Sequence, residues 1–185
     1  MMETTGNAMN VQIIKADKDR IDVIRNLVHF YIYDLSEVMG WDCPENGLFG
    51  GCDDLPQYWA KMPDDPKYAW PSGWKGYPFI IKVDDKIAGF ALARKLGAEA
   101  VYEMGDFFIL RKYRSKGVGK YVACSIFDAF AGKWRVAQMV GNTPAQAFWS
   151  RVIDGYTNGN HQECNDFDEI HGVELSVIYF NSVCR

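Results

Sequence analysis

The chain lacks any pair of cysteines at CxxC spacing; its five, Cys43, Cys52, Cys124, Cys164 and Cys184, are odd in number and far apart. That pattern suits reduced thiols better than a disulfide framework. Histidine is scarce, and His29, His161 and His171 show no metal-ligand spacing, so all three read as structural or surface residues. No apolar run approaches the roughly 20 residues that span a bilayer, and Met1 to Asn10 lacks the apolar core of a signal peptide. The expected compartment is therefore the cytoplasm, with no membrane partner. A broad basic surface is also missing: a net charge of −4 and a pI near 5.4 argue against nucleic acid as a partner. There is no internal repeat and no low-complexity tract. What remains is an ordinary globular composition, 48% hydrophobic and 24% charged over 185 residues, enough for one sizeable core and one domain over residues 1–185.

The one basic cluster is local. Arg114-Ser115-Lys116-Gly117-Val118-Gly119-Lys120 lies between a strand-like run, Phe107 to Leu110, and a helix-like run, Val118 to Phe130. A helix start offers about four backbone N–H groups without intrahelical partners, and its dipole favours anions, phosphate above all. Gly117 and Gly119 carry no Cβ to obstruct a pyrophosphate, and Arg114, Lys116 and Lys120 add positive charge. A Walker loop is excluded, because Gly119-Lys120 is followed by Tyr121 and Arg114 stands where its first glycine belongs. A dinucleotide fingerprint fails too, since Val122 replaces its third glycine and the turn lies far from the first strand.

Elsewhere, Val11 to Lys15 reads as a strand and Asp17 to Tyr33 as a helix capped by Asp17, with Ile21, Ile24, Leu27, Val28 and Tyr31 on one face. Phe79 to Val83, a polar turn at Asp84-Asp85-Lys86, and Ile87 to Arg94 read as a hairpin. The helix from Ser115 carries Val118, Val122, Ile126, Ala129 and Phe130 at helical spacing, so its apolar face is core. Trp134 to Val140 reads as a strand. Asn142 or Thr143 before Pro144 marks another helix start.

The turn resembles the acyl-CoA loop of the GNAT superfamily of N-acyltransferases, Arg or Gln, two residues, Gly, one residue, Gly or Ala, with Arg114, Gly117 and Gly119 in place. Tyr102-Glu103-Met104-Gly105-Asp106-Phe107-Phe108-Ile109-Leu110 is similar to the family's central strand, and Asn142-Thr143-Pro144-Ala145-Gln146-Ala147-Phe148-Trp149 to its following helix. The likeness covers roughly residues 77–156, with a later strand placed loosely in Val173 to Phe180. It implies an α/β (α+β) fold with a mixed, mostly antiparallel central sheet flanked by helices and two parallel strands splayed at a cofactor cleft. It implies acetyl-CoA as cosubstrate, its pantetheine arm pairing with the backbone of Phe107, Phe108 and Ile109 and its pyrophosphate on Arg114, Ser115, Lys116, Gly117, Val118, Gly119 and Lys120. Asn142, Phe148 and Trp149 would complete the cofactor side, although Asn142 has a plain alternative as a helix cap.

The implied activity is transfer of an acetyl group to a primary amine by direct attack in a ternary complex; a noncatalytic acyl-CoA-binding or sensing module, and a protein lysine or N-terminal acetyltransferase, stay open beside it. An amine attacks only as the free base, and an alkylammonium has a pKa near 10.4, so a proton acceptor is needed. Glu103, fourteen positions before Gly117, matches a catalytic glutamate of some members, and Asp106 is its rival. On an ideal strand the two would face opposite ways unless a bulge at Gly105 intervenes. Either carboxylate can instead bind the substrate cation or pair with a basic side chain. Trp149 stands where many members carry the tyrosine that protonates the leaving thiolate, so Tyr156, Tyr102 or solvent would have to substitute.

Acceptor choice is expected in the loop-rich segment 34–77. It holds Trp41, Trp59, Trp70 and Trp74 with Tyr58 and Tyr68, and eight acids, Asp34, Glu37, Asp42, Glu45, Asp53, Asp54, Asp64 and Asp65, against Lys61, Lys67 and Lys75. Such a wall attracts ammonium and adds cation–π contact, which suggests a small polyamine-like or aminoglycoside-like amine. The plainer alternative is that the acids face solvent and the aromatics pin the loop to the core. Acyl length and oligomeric state stay open, a homodimer included.

Overall fold

The structure is a computed structural model that describes residues 9–50, 55–60, 74–97, 101–169 and 171–182. Among these residues the strands are β1 (Val11–Lys15), β2 (Lys75–Val83), β3 (Lys86–Leu96), β4 (Val101–Ile109), β5 (Gly132–Met139), β6 (His161–Asp168) and β7 (Val173–Ser182). The helices are α1 (Ile21–Met39), α2 (Val118–Ala129) and α3 (Thr143–Thr157), with a 3-10 turn at Leu55–Trp59. All seven strands form one sheet in the order β1-β2-β3-β4-β5-β7-β6. Its neighbours are antiparallel except β4 and β5, the parallel pair.

The β2–β3 hairpin turns on Asp84 and Asp85, both at positive φ (49° and 61°), which gives the backbone the twist that tight hairpins require. Alternation then sends side chains to two faces. Ile80, Phe90, Leu92 and Phe108 meet α1 and the 3-10 turn on one face. Ala91, Ala93, Met104, Trp134, Val136, Ile178 and Phe180 meet α2 and α3 on the other. Phe127 and Trp134 are fully buried there, ring centroids 4.8 Å apart, and full burial of such a side chain is worth roughly 1.5–3 kcal/mol.

Helix α1 differs from the sequence-based reading at both ends. Asp17 makes no capping bond and precedes a 3-10 turn, Lys18–Arg20, so the α-helix starts at Ile21. It then runs past Tyr33 to Met39 and stops at Gly40, whose φ of 66° and N–H to Ser36 close the C-terminus. The loop-rich segment expected from Asp34 onward thus begins as helix, and buried Leu35 ties that added stretch to the core. Strand β6 has no counterpart in that reading.

Candidate active site

The site forms where β4 leaves β5. The parallel pairing covers only Tyr102–Met104 against Trp134–Val136, while β4 continues to Ile109 and β5 to Met139. Residues 105–109 thus have a strand partner on the β3 side alone, and the backbone of Phe107, Phe108 and Ile109 borders a V-shaped opening.

A bulge marks the apex of the opening. Ala93 pairs with Met104 and Leu92 with Asp106, so Gly105 is the extra residue of β4. A Cβ on Gly105 would lie 2.9 Å from the Tyr58 hydroxyl and 3.1 Å from the Leu92 carbonyl, so any larger residue would push the Tyr58 ring or the β3 backbone aside. The bulge turns Asp106 onto the face that carries Glu103, because Arg94 pairs with Glu103 and Leu92, on the same face, with Asp106. The ideal alternation that sets these carboxylates on opposite faces is therefore broken.

Their surroundings differ. Glu103 is 3% exposed; its Oε2 accepts from Arg94 Nε at 2.5 Å and its Oε1 from Arg135, whose other nitrogen donates to Asp166 at 3.0 Å. Burial works to lower the Arg94 pKa, but Tyr58, Glu103 and Asp106 outweigh it and hold the guanidinium charged. For Arg135 burial is likewise the largest influence and is overcome by Glu103, Tyr179 and Asp166. Asp106 is half-buried beside Arg94 and at the apex itself.

Beyond β4 the chain enters the glycine turn. Gly117 caps α2 at φ 80° with open space where a Cβ would stand, and no side chain caps this helix, so its first-turn amides are turned to the surroundings beside exposed Lys116 and Lys120. Gly119 has another reason to be glycine. A Cβ there would sit 3.2 Å from the Phe148 ring, so its absence lets α2 close on α3. Arg114 is exposed but already engaged: its Nε donates to the Ile109 carbonyl at 2.6 Å, it pairs with Asp34 on α1, and it lies 5.4 Å from the Phe108 ring centre. Asp34 also accepts from Arg111 at 2.7 and 3.1 Å. Arg114 is thus a strut between strand end, turn and α1.

On the α3 side, the Asn142 side chain accepts from the Ala145 N–H at 3.2 Å, the capping bond that the Pro144 start predicts. Phe148 stacks on Phe107 (5.9 Å, 20°), and Trp149 meets Phe107 edge-on at 5.1 Å. Trp149 is buried, and Tyr156 donates its hydroxyl to Asp128 on α2 at 2.7 Å, which aims it at the helix pair. Tyr102 lies in the aromatic cluster with Phe130 and Trp134.

In segment 34–77 Tyr58, Trp59 and Trp74 follow the pinning alternative. Trp59 donates to the Ala16 carbonyl at 2.7 Å, and Tyr58 packs edge-on against Trp74 at 5.5 Å in the core. Trp41, Glu37, Asp42 and Glu45 are exposed. Trp70, Tyr68, Asp53, Asp54, Asp64, Asp65, Lys61 and Lys67 lie outside the described residues. Sequence reasoning missed Arg94 and Arg135, since nothing local signals a strand arginine whose partner lies across from it on the neighbouring strand.

An unpaired strand edge, open space at Gly117 and uncapped helix amides fit a long ligand with a pyrophosphate at one end. The chain matches the acetyltransferase (GNAT) family over residues 44–153, more than half its length. No curated protein matches it in sequence. Among solved structures it is similar to the ribosomal-protein-S18-alanine N-acetyltransferase of Escherichia coli (9% identity, TM-score 0.59, covering 94% of this chain and 95% of that one). A spermidine N-acetyltransferase chimera from Vibrio cholerae and hSSAT is similar at 12% identity and TM-score 0.58, covering 92% and 95%. A Bacillus subtilis acetyltransferase in complex with CoA aligns at 9% identity and TM-score 0.53, covering 95% and 100%. At these identities the likeness is one of fold.

Proposed function

Because this chain belongs to the acetyltransferase (GNAT) family, whose cosubstrate is acetyl-CoA, we propose that residues 1–185 form one such domain and transfer an acetyl group to a primary amine of a small cationic molecule, by direct attack in a ternary complex. The observation that carries this reading is the bulge at Gly105, which sets the Asp106 carboxylate at the apex of an opening lined by unpaired β4 backbone. Acetyl-CoA brings an activated thioester; β4 amides along Phe107–Ile109 orient it and polarise its carbonyl. The amides of Ser115–Lys120, with Lys116 and Lys120, hold the pyrophosphate.

Asp106 takes the proton from the acceptor ammonium, so that the free amine can attack. Glu103 is the less suitable base, since both its oxygens accept from arginines; it positions Arg94 and Arg135 beside the site. The leaving thiolate, at an ordinary thiol pKa of about 8.5, departs without a tyrosine and is protonated by solvent. The excess of acids over lysines in segment 34–77 is what favours a cationic acceptor.

The first test is CoA release from acetyl-CoA, followed with a thiol reagent, against aminoglycosides, polyamines, amino acids and lysine peptides. Turnover on free amines is the expected result; turnover on peptides alone transfers the reading to protein acetylation. Trp149 at the place of the family's tyrosine favours one second reading, a noncatalytic acyl-CoA-binding module, and tight binding without turnover on any amine would select it. Asp106→Asn should cut turnover about 100-fold near neutral pH and recover as pH deprotonates the amine. A loss equal at every pH would assign Asp106 to binding. Gly117→Glu should abolish acetyl-CoA binding with the circular dichroism of the fold retained, and unchanged binding by calorimetry would overturn the cofactor site.

A further inference from the structure

One polar side chain in the core has no task in the fold. Gln138 on β5 is 6% exposed, and neither its Nε2 nor its Oε1 has a hydrogen-bond partner. A glutamine amide can make up to four such bonds, and burying it with none is costly. Even Ser176, its partner in register on β7, makes no bond to it. Trp134 and Val136, which precede it on the same face of β5, are fully buried and present only packed carbon and one indole N–H already bonded to Phe130 and Ser182. A leucine would fill such a place without the cost.

Its position along the strand is informative. Val136 is the last residue of β5 paired with β4, so Gln138 stands two residues beyond the apex, about 7 Å along the opening at the usual strand rise. It shares a sheet face with Phe107, which borders the opening from the other side. We propose that Gln138 is a positioning residue for the pantetheine arm, its amide pairing with the secondary amide nearest the thioester. A primary carboxamide offers one donor and one acceptor side by side, the complement of a secondary amide's C=O and N–H. The inference rests on the acyl-CoA reading above. In this arrangement the orphaned amide is satisfied when the arm enters, so the cost borne by the unliganded protein returns as affinity for the arm.

The test compares two probes by calorimetry: CoA, and adenosine 3′,5′-bisphosphate, which carries the 3′-phosphate and one of the two 5′-phosphates but not the arm. Gln138→Leu should bind CoA roughly tenfold more weakly, the effect of losing one or two hydrogen bonds, and the bisphosphate as wild type does. Its melting temperature without ligand should stay level or rise, because an unsatisfied buried amide is gone. Gln138→Met, closer in shape, should give the same split if the leucine packs badly. Equal CoA affinity in wild type and both variants overturns the proposal, and so does an equal loss for both probes, which would make Gln138 a packing residue. If wild type binds neither probe, the acyl-CoA reading itself falls and this one with it, an outcome distinct from the other two.

Discussion

At the residue scale, the ion pairs around Glu103 are the costliest to disturb. Removing one partner of a buried pair leaves the other charge uncompensated, and here two guanidinium groups share one carboxylate. Glu103→Ala should therefore destabilise the fold by about 3–5 kcal/mol in urea denaturation. A change below 1 kcal/mol would show that the arginines find solvent instead. Tyr77 gives a second residue-level expectation. Burial first, and Tyr102 second, raise its pKa, so the folded state keeps the phenol proton longer than the unfolded chain does. That contribution to stability is present below the ordinary pKa of about 10 and is lost as pH rises through the higher folded value. Tyr77→Phe should flatten the fall in melting temperature between about pH 9 and 11. Glu103 was legible in the sequence as a carboxylate near the apex, but its task was not, because Arg94 and Arg135 reach it only through strand register.

At the scale of elements, the pattern of apolar residues predicted β1, the hairpin, α2 and β5 within a few residues, while the extent of β4 and the placing of α3 came from the family resemblance. Each has a buried face written in its own sequence. Strand β6 does not: His161-Gln162-Glu163-Cys164-Asn165-Asp166-Phe167-Asp168 has little β propensity and is mostly exposed, and it is a strand only because β7 supplies a ladder. The bulge likewise became visible only as a pairing of two strands, though Gly105 was its local sign. The Asn142 cap was readable, and it separates two roles. Asn142→Ala should cost about 1 kcal/mol of stability through the lost cap. If acetyl-CoA affinity falls as well, measured at a temperature where the variant is fully folded, Asn142 also reaches the cofactor; unchanged affinity confines it to capping.

At the scale of the whole molecule, the sheet opens between β4 and β5, while α2 and α3, packed on each other across one face, hold its two halves together. A ligand that enters that opening binds only the folded state. Acetyl-CoA at 100 times its dissociation constant should therefore add about 2.7 kcal/mol, or roughly 5–11 °C in melting temperature for a chain of this size. A melting temperature indifferent to acetyl-CoA would contradict the cofactor reading. No helix among the described residues is long and apolar enough to cross a membrane.

Strand β6 closes the sheet at one side with no further strand beyond it among the described residues, so its outer row of N–H and C=O groups is a template on which another strand can grow. The guard against such growth is electrostatic, a row of Glu163, Asp166 and Asp168 along the edge. Acid disarms it. The Phe167 N–H and Arg135 hold the Asp166 carboxyl below the usual range. Near the pI of about 5.4 the long-range repulsion between molecules also vanishes. Colloidal stability should thus fail on the acid side before the fold does, seen as light scattering that rises while the circular dichroism stays native.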